Sequence, residues 1–210
     1  MHTWEKCLLS LLEKIYLPLK AKNIEWAIIG SCATALQKIS VVPKDIDILL
    51  KSKKDVFYFA DLLTEFLVEK CDVDEPHNNL WQSSKKLPIY FDPPNPKEFV
   101  WTFGRWFIED FKVEVAHIEA PENFYSTKNN VSGIWEGGSE IWAYIKEINF
   151  KNYSIPVVPL EIQLETNFNR KLTDRTDKIL ENFNKNGFDK KLLEFALSEK
   201  NKKLDNLKNK

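Results

Sequence analysis

The sequence predicts an α+β fold, and three observations carry that reading. Apolar residues recur at helical spacing over 3–21 (Trp4, Leu8, Leu11, Leu12, Ile15, Leu19) and over 54–70 (Val56, Phe59, Leu62, Leu63, Phe66, Leu67). Short apolar or alternating runs at 25–29, 45–51 and 111–118 have strand length and strand period instead. From Pro159 onward the chain turns helical again, with no further strand pattern.

In chain order, 3–21 reads as an amphipathic helix that Pro18 should end or kink, because proline lacks the amide that an inner turn needs. A strand at 25–29, a helix at 31–39, a strand at 45–51 and a helix at 54–70 follow. Residues 72–98 read as loop: Asp72, Asp74, Glu75, Pro76, Asn78 and Asn79 break any pattern, Phe91-Asp-Pro-Pro-Asn-Pro96 is a turn, and a short strand fits at 87–91. The aromatic run 99–108 should pair with 111–118 through a turn at Glu109 and Asp110. Pro121, Gly133, Gly137 and Gly138 make 121–140 a loop, and strands are expected at 141–149 and 153–157. Helices are expected at about 160–170, 172–185 and 189–200, with Gly187 separating the last two. The chain shows no internal repeat.

Composition narrows the function classes. With 43% apolar residues in 210, the chain can bury a core, which argues against wholesale disorder. A net charge of −1 lacks the basic excess of a dedicated nucleic-acid binder, though a local patch is compatible with it. Cys7, Cys32 and Cys71 lack metal-ligand spacing, and His2, His77 and His117 are scattered, which argues against zinc and against a disulfide framework. Glu13 and Lys14 interrupt the first apolar run, so no signal peptide is expected, and no run approaches the roughly 20 apolar residues of a membrane span. The expected location is cytoplasmic, with no membrane partner.

The most informative stretch is Trp26-Ala-Ile-Ile-Gly-Ser-Cys-Ala-Thr-Ala-Leu36 followed by Pro43-Lys-Asp-Ile-Asp-Ile-Leu49. In a strand, Asp45 and Asp47 point the same way while Ile46 and Ile48 point to the other face. Neighbouring carboxylates repel, and a divalent cation removes that penalty; Mg²⁺ favours one or two carboxylates with water and phosphate oxygens. Gly30 lets the backbone adopt a turn closed to other residues and approach a ligand, while Ser31 opens the next helix, where phosphate is favoured. Together these residues point to a metal–triphosphate site. An edge strand with two solvated aspartates is the plainer alternative.

Gly30-Ser31 and the Asp45-Ile-Asp-Ile48 run, in this order and spacing, resemble the signature of the polymerase-β-type nucleotidyltransferase superfamily. The resemblance is good over 25–50 and moderate over 111–118. It implies a short mixed sheet backed by helices, with C-terminal helices after the sheet. It also implies a third carboxylate on a later strand, best matched by Glu114 in Phe111-Lys-Val-Glu-Val-Ala-His-Ile118, with Glu109 and Asp110 as fallbacks. By this resemblance residues 1–158 are a catalytic domain with an N-terminal helix, 159–200 a helical segment and 201–210 a flexible basic tail. Asp45, Asp47 and Glu114 would be catalytic and hold two Mg²⁺ ions, with Mn²⁺ an alternative. Gly30 and Ser31 would fix the β- and γ-phosphates of a nucleoside triphosphate, ATP being the family's usual donor.

The remaining candidates each have a plainer reading. Arg175 is the first choice to reach the triphosphate, ahead of Arg170 and Lys171; all three equally suit an exposed helix face. Lys44 could touch phosphate, or be a solvated lysine ahead of the strand. The aromatic run 99–107 could stack a ring, although such runs more often form core. Arg105 could border a cleft, and His117, on the face opposite Glu114, reads as a buried histidine. The resulting expectation is an enzyme that transfers a nucleoside monophosphate to a hydroxyl on a small molecule, a tRNA or a protein. The alternative is a non-catalytic module that binds nucleotide or a partner.

Overall fold

The computed structural model describes residues 1–76, 78–122, 124 and 133–203. The strands are β1 (Trp26–Ile29), β2 (Asp45–Leu50), β3 (Tyr90–Phe91), β4 (Val100–Ile108), β5 (Phe111–Glu119), β6 (Lys146–Phe150) and β7 (Tyr153–Val157). The helices are α1 (Thr3–Ala21), α2 (Gly30–Leu36), α3 (Lys53–Leu62), α4 (Leu160–Asn169), α5 (Thr173–Asn186), α6 (Lys190–Ala196) and α7 (Glu199–Lys202). The strands form one sheet of order β3-β4-β5-β2-β1-β7-β6. β2 is parallel to β5 and β1 to β7, while the other neighbours are antiparallel. The fold is α+β with a mixed sheet, as the sequence predicts.

Strand alternation divides the core. Ile46, Ile48 and Leu50 of β2, with Val113 and Val115 of β5 and Trp106 of β4, join α1 and α3 in the largest apolar cluster. The opposite sheet face offers Ala27 and Leu49, which cluster with Ile134, Ile141, Val158, Ile162 of α4 and Leu192 of α6. The outer side of α4 packs through Leu164 with Ile179 and Phe183 of α5. Asp45, Asp47 and Glu114 share the parity of this second face. The C-terminal helices therefore wall the side of the sheet on which the carboxylates lie.

Several boundaries differ from expectation, each for a physical reason. Pro18 does not end α1; the last turn closes past it, with the Lys22 amide donating to the Pro18 carbonyl. The first helix after β1 stops at Leu36, and Lys38 at φ 67° turns the chain away. The expected helix over 54–70 is shorter. α3 ends at Leu62, a tight turn spans Thr64–Phe66, and Val68 bridges Ser84 in extended form. The strand expected at 87–91 is reduced to Tyr90–Phe91. The strand expected at 141–149 begins only at Lys146, because Ser139–Ala143 is a 3₁₀ turn.

The expected helix 189–200 is split at Leu197–Ser198. There the buried Glu165 carboxylate accepts from the Ser198 amide at 3.0 Å, and the Ser198 hydroxyl caps α7. Asn201, expected to begin the solvated tail, is buried and donates to Glu165 at 2.9 Å. Residues 204–210 of that tail, and 123 and 125–132 of the loop at 121–140, lie outside the described residues, as does His77.

Candidate active site

Parallel pairing of β2 with β5 sets Asp47 opposite Glu114 and Asp45 opposite Lys112. Because β2 alternates, Asp45 and Asp47 reach the same side as Glu114. One carboxylate oxygen of each lies within 4.8 Å of the others. These three could hold a metal ion, and an all-carboxylate set suits a hard cation of the Mg²⁺ or Mn²⁺ kind rather than a soft one. Asp47 carries the cost of this crowding. Its pKa is pushed from 3.8 up to about 8, first by burial, then by the charges of Asp45, Glu114 and Glu136, with Lys112 opposing.

Two cations partly compensate the cluster. The Lys112 ammonium lies 3.0 Å from Asp45 Oδ2 and 3.2 Å from Glu114 Oε2. Burial acts to lower its pKa, but the hydrogen bond to Asp45 and the charges of Glu114 and Asp45 outweigh that and raise it. Arg105 on β4, opposite Glu114 in register, donates from Nε to Glu114 Oε1 at 2.5 Å. Its remaining bonds anchor it: one guanidinium nitrogen donates to the carbonyls of Asn78 at 2.7 Å and Trp81 at 2.8 Å, and its amide donates to Ser83 Oγ at 2.9 Å. A buried guanidinium with this many fixed contacts holds Glu114 in one place.

The turn after β1 abuts the same cluster. Gly30 sits at φ +63°, and a Cβ there would lie 2.6 Å from Asp47 Oδ2. Both the left-handed backbone and the close approach thus require glycine. The Gly30 amide donates to Glu136 Oε2 at 3.0 Å, and its carbonyl accepts from Thr34 Oγ1 at 3.0 Å and Gln163 Nε2 at 2.7 Å. Gln163 Nε2 also lies 3.1 Å from Glu136 Oε2, and the Glu136 amide donates to Thr166 Oγ1 at 3.1 Å. Helix α4 and the Glu136 loop therefore clamp the turn in place.

All of this opens on one cavity of about 580 Å³. Gly30, Ser31, Asp45, Asp47, Glu114, Arg105, Glu136 and Thr166 line it, together with Arg170 and Arg175. Arg175 has a 3.5 Å contact to Asn167 Oδ1. Lys44 is exposed at the start of β2 and is absent from the lining, as is Lys171, which turns the chain after α4 at φ 56°. Glu109 and Asp110 form the β4–β5 turn at positive φ, and Glu109 bonds Ser10 of α1. They take no part in the cavity. His117 Nδ1 lies 3.0 Å from the Leu50 carbonyl, a local partner in keeping with a structural role.

Lys112, Glu136 and Gln163 are site residues that stand outside the sequence candidates. Lys112 was within reach, since residue i−2 on a strand shares the face of Glu114. Glu136 carried no signal: it stands in a glycine-rich loop, 106 residues from the amide it binds. Among the described residues no helix is long and apolar enough to cross a membrane.

The chain matches no protein-family profile, and no curated protein is significantly similar to it in sequence. Among solved structures it is similar to the crystal structure of a "putative nucleotidyltransferase" from Thermotoga maritima. The match has a TM-score of 0.49 and 20% identity, and covers 85% of this chain and 93% of that one.

Proposed function

We propose that this protein is a metal-dependent nucleotidyltransferase, moving a nucleoside monophosphate from a nucleoside triphosphate, ATP first among the candidates, to an acceptor hydroxyl. The observation that carries the reading is the in-register gathering of Asp45, Asp47 and Glu114 beside the Gly30–Ser31 turn, in one cavity with Arg170 and Arg175. The three carboxylates would hold the cation, with two Mg²⁺ ions as the expected load. Bound there, such ions offset triphosphate charge and lower the pKa of the acceptor hydroxyl.

The protein's own groups divide the remaining work. Ser31, Arg170 and Arg175 face the space where the β- and γ-phosphates would lie, and Lys44 is a peripheral candidate that could approach them from outside the cavity. Arg105 fixes the Glu114 carboxylate, while Lys112 would give up its bridge between Asp45 and Glu114 when a cation binds. In the transfer, the acceptor oxygen forms a bond to the α-phosphorus. The bond from that phosphorus to the bridging oxygen breaks, and pyrophosphate leaves with its electron pair. The hydroxyl proton passes to the carboxylate cluster or to water, Glu114 being the nearer to an acceptor arriving from the β5 side.

A second reading, nucleotide binding without transfer, has one observation in its favour. Lys112 already bridges two of the carboxylates, and Glu136 already takes the Gly30 amide. Calorimetric titration of the four common triphosphates, with and without Mg²⁺, tests the main reading. Mg²⁺-dependent binding that is lost in Asp47→Asn supports it, and pyrophosphate release then separates transfer from binding alone. Binding that ignores both Mg²⁺ and the substitution contradicts it.

A further inference from the structure

The carboxylate row does not stand alone on its sheet face. Register places Leu49, Ala116 and Phe103 side by side in the next row, since Ala116 pairs with both Leu49 and Phe103. One row further, Trp101 pairs with Ile118. All five line the same cavity as the carboxylates, and Trp135 lines it from the loop that carries Glu136. Trp101, Ala116, Ile118 and Trp135 are only half-buried, so they are cavity wall rather than sealed core. The Trp135 ring is fixed edge-on against Phe99 at 5.4 Å, and the Trp101 amide is tied to Asp92 Oδ2 at 2.9 Å. An apolar shelf thus continues directly from the charged row.

We infer that this shelf receives the acceptor, and that the acceptor is a small, neutral or cationic molecule whose hydroxyl is carried next to a flat ring. The inference rests on the nucleotidyltransfer reading, and three observations extend that reading to a substrate class. First, the Gly30–Ser31 turn lies on the β1 side of the carboxylates, and the shelf extends toward β4 and β5 on the other side. An in-line displacement needs its nucleophile opposite the departing pyrophosphate, which puts the acceptor on the shelf side. Second, the wall there consists of two indoles, a phenyl ring and aliphatic side chains, a surface that holds a ring by stacking and by excluding water. Third, two acidic residues stand beside the shelf. Glu75 precedes Pro76 in the lining, and the Asp92 carboxylate accepts from the Trp101 amide. Such a rim repels a polyanionic chain and tolerates a neutral or cationic ring.

The test uses the full chain loaded with Mg²⁺ and α,β-methylene-ATP, titrated with adenosine as a neutral ring-bearing alcohol. Kanamycin serves as a saturated polycation and a short RNA ending in adenosine as a polyanion. Adenosine should bind the loaded protein. Trp101→Ala should weaken that binding by about tenfold, within the range of one lost stacking contact, while affinity for the analogue stays within about twofold. Trp101→Phe, which keeps a ring, should retain most of the binding, separating lost stacking from a misfolded variant. Kanamycin binding in place of adenosine, or RNA binding far more tightly than adenosine, overturns the inference. Weakening of the analogue itself by Trp101→Ala also overturns it, since the shelf would then hold the donor's base. Failure of the wild type to bind the analogue would count against the nucleotidyltransfer reading instead, and adenosine titrated alone would still report on the shelf.

Discussion

At the residue scale, the chemistry of the site is concentrated in Asp47. Its carboxyl is held near pKa 8 by burial and by three neighbouring carboxylates, against 3.8 unperturbed. Between these values the folded chain keeps a proton that the unfolded chain has released. Metal-free stability should therefore be fullest below about pH 4 as far as this group is concerned, and fall as pH rises toward 8. Melting temperatures recorded across pH 5–8 should show that decline, Asp47→Asn should flatten it, and Mg²⁺ should raise the melting point more at pH 8 than at pH 5. Gly30 makes a second prediction. Gly30→Ala forces a side chain into a left-handed backbone and to 2.6 Å from Asp47 Oδ2. Denaturant titration should show a loss of about 1–3 kcal/mol, with nucleotide binding lost as well. The aspartate pair was legible in the sequence because alternation alone puts i and i+2 together. Glu136 was not, because nothing local announces a partner 106 residues away.

Elements, in turn, are placed by their polar anchors as much as by their apolar stripes. Helix α4 buries Glu165, whose carboxylate accepts from Asn169, from the Ser198 amide and hydroxyl, and from Asn201. This network divides the expected single helix 189–200 into α6 and α7, which no apolar periodicity could foretell. Glu165→Ala leaves several buried donors unmatched and should cost on the order of 3 kcal/mol or more, read as a lower denaturation midpoint with α6 and α7 losing amide protection first. The shortened α3 teaches the same lesson. Phe66 and Leu67 fit a helical stripe, but the backbone of Val68 bonds Ser83 and Lys85, and that strand-like pairing takes the chain out of the helix. Apolar spacing located nearly every element; the places where long-range hydrogen bonds end them were hidden.

Over the whole molecule, the sheet order brings residues of many elements to one cavity. β1 and β2 contribute the glycine turn and two aspartates, β5 and β4 contribute Glu114 and its Arg105 brace, and the C-terminal helices supply Arg170 and Arg175. A cavity built from so many elements couples ligand binding to global stability. Mg²⁺ with a triphosphate at about 100 times its Kd should stabilise the fold by about 2.7 kcal/mol, and thermal shift measurements should find that gain missing in Asp47→Asn. The most direct test of the account is crystallographic: the chain crystallised with Mn²⁺ and α,β-methylene-ATP, with anomalous scattering recorded at the manganese edge. Anomalous density is expected among Asp45, Asp47 and Glu114, with Lys112 drawn off its bridge and phosphates beside Ser31 and Arg175. Manganese bound elsewhere, or nucleotide bound with no manganese at these carboxylates, would contradict it.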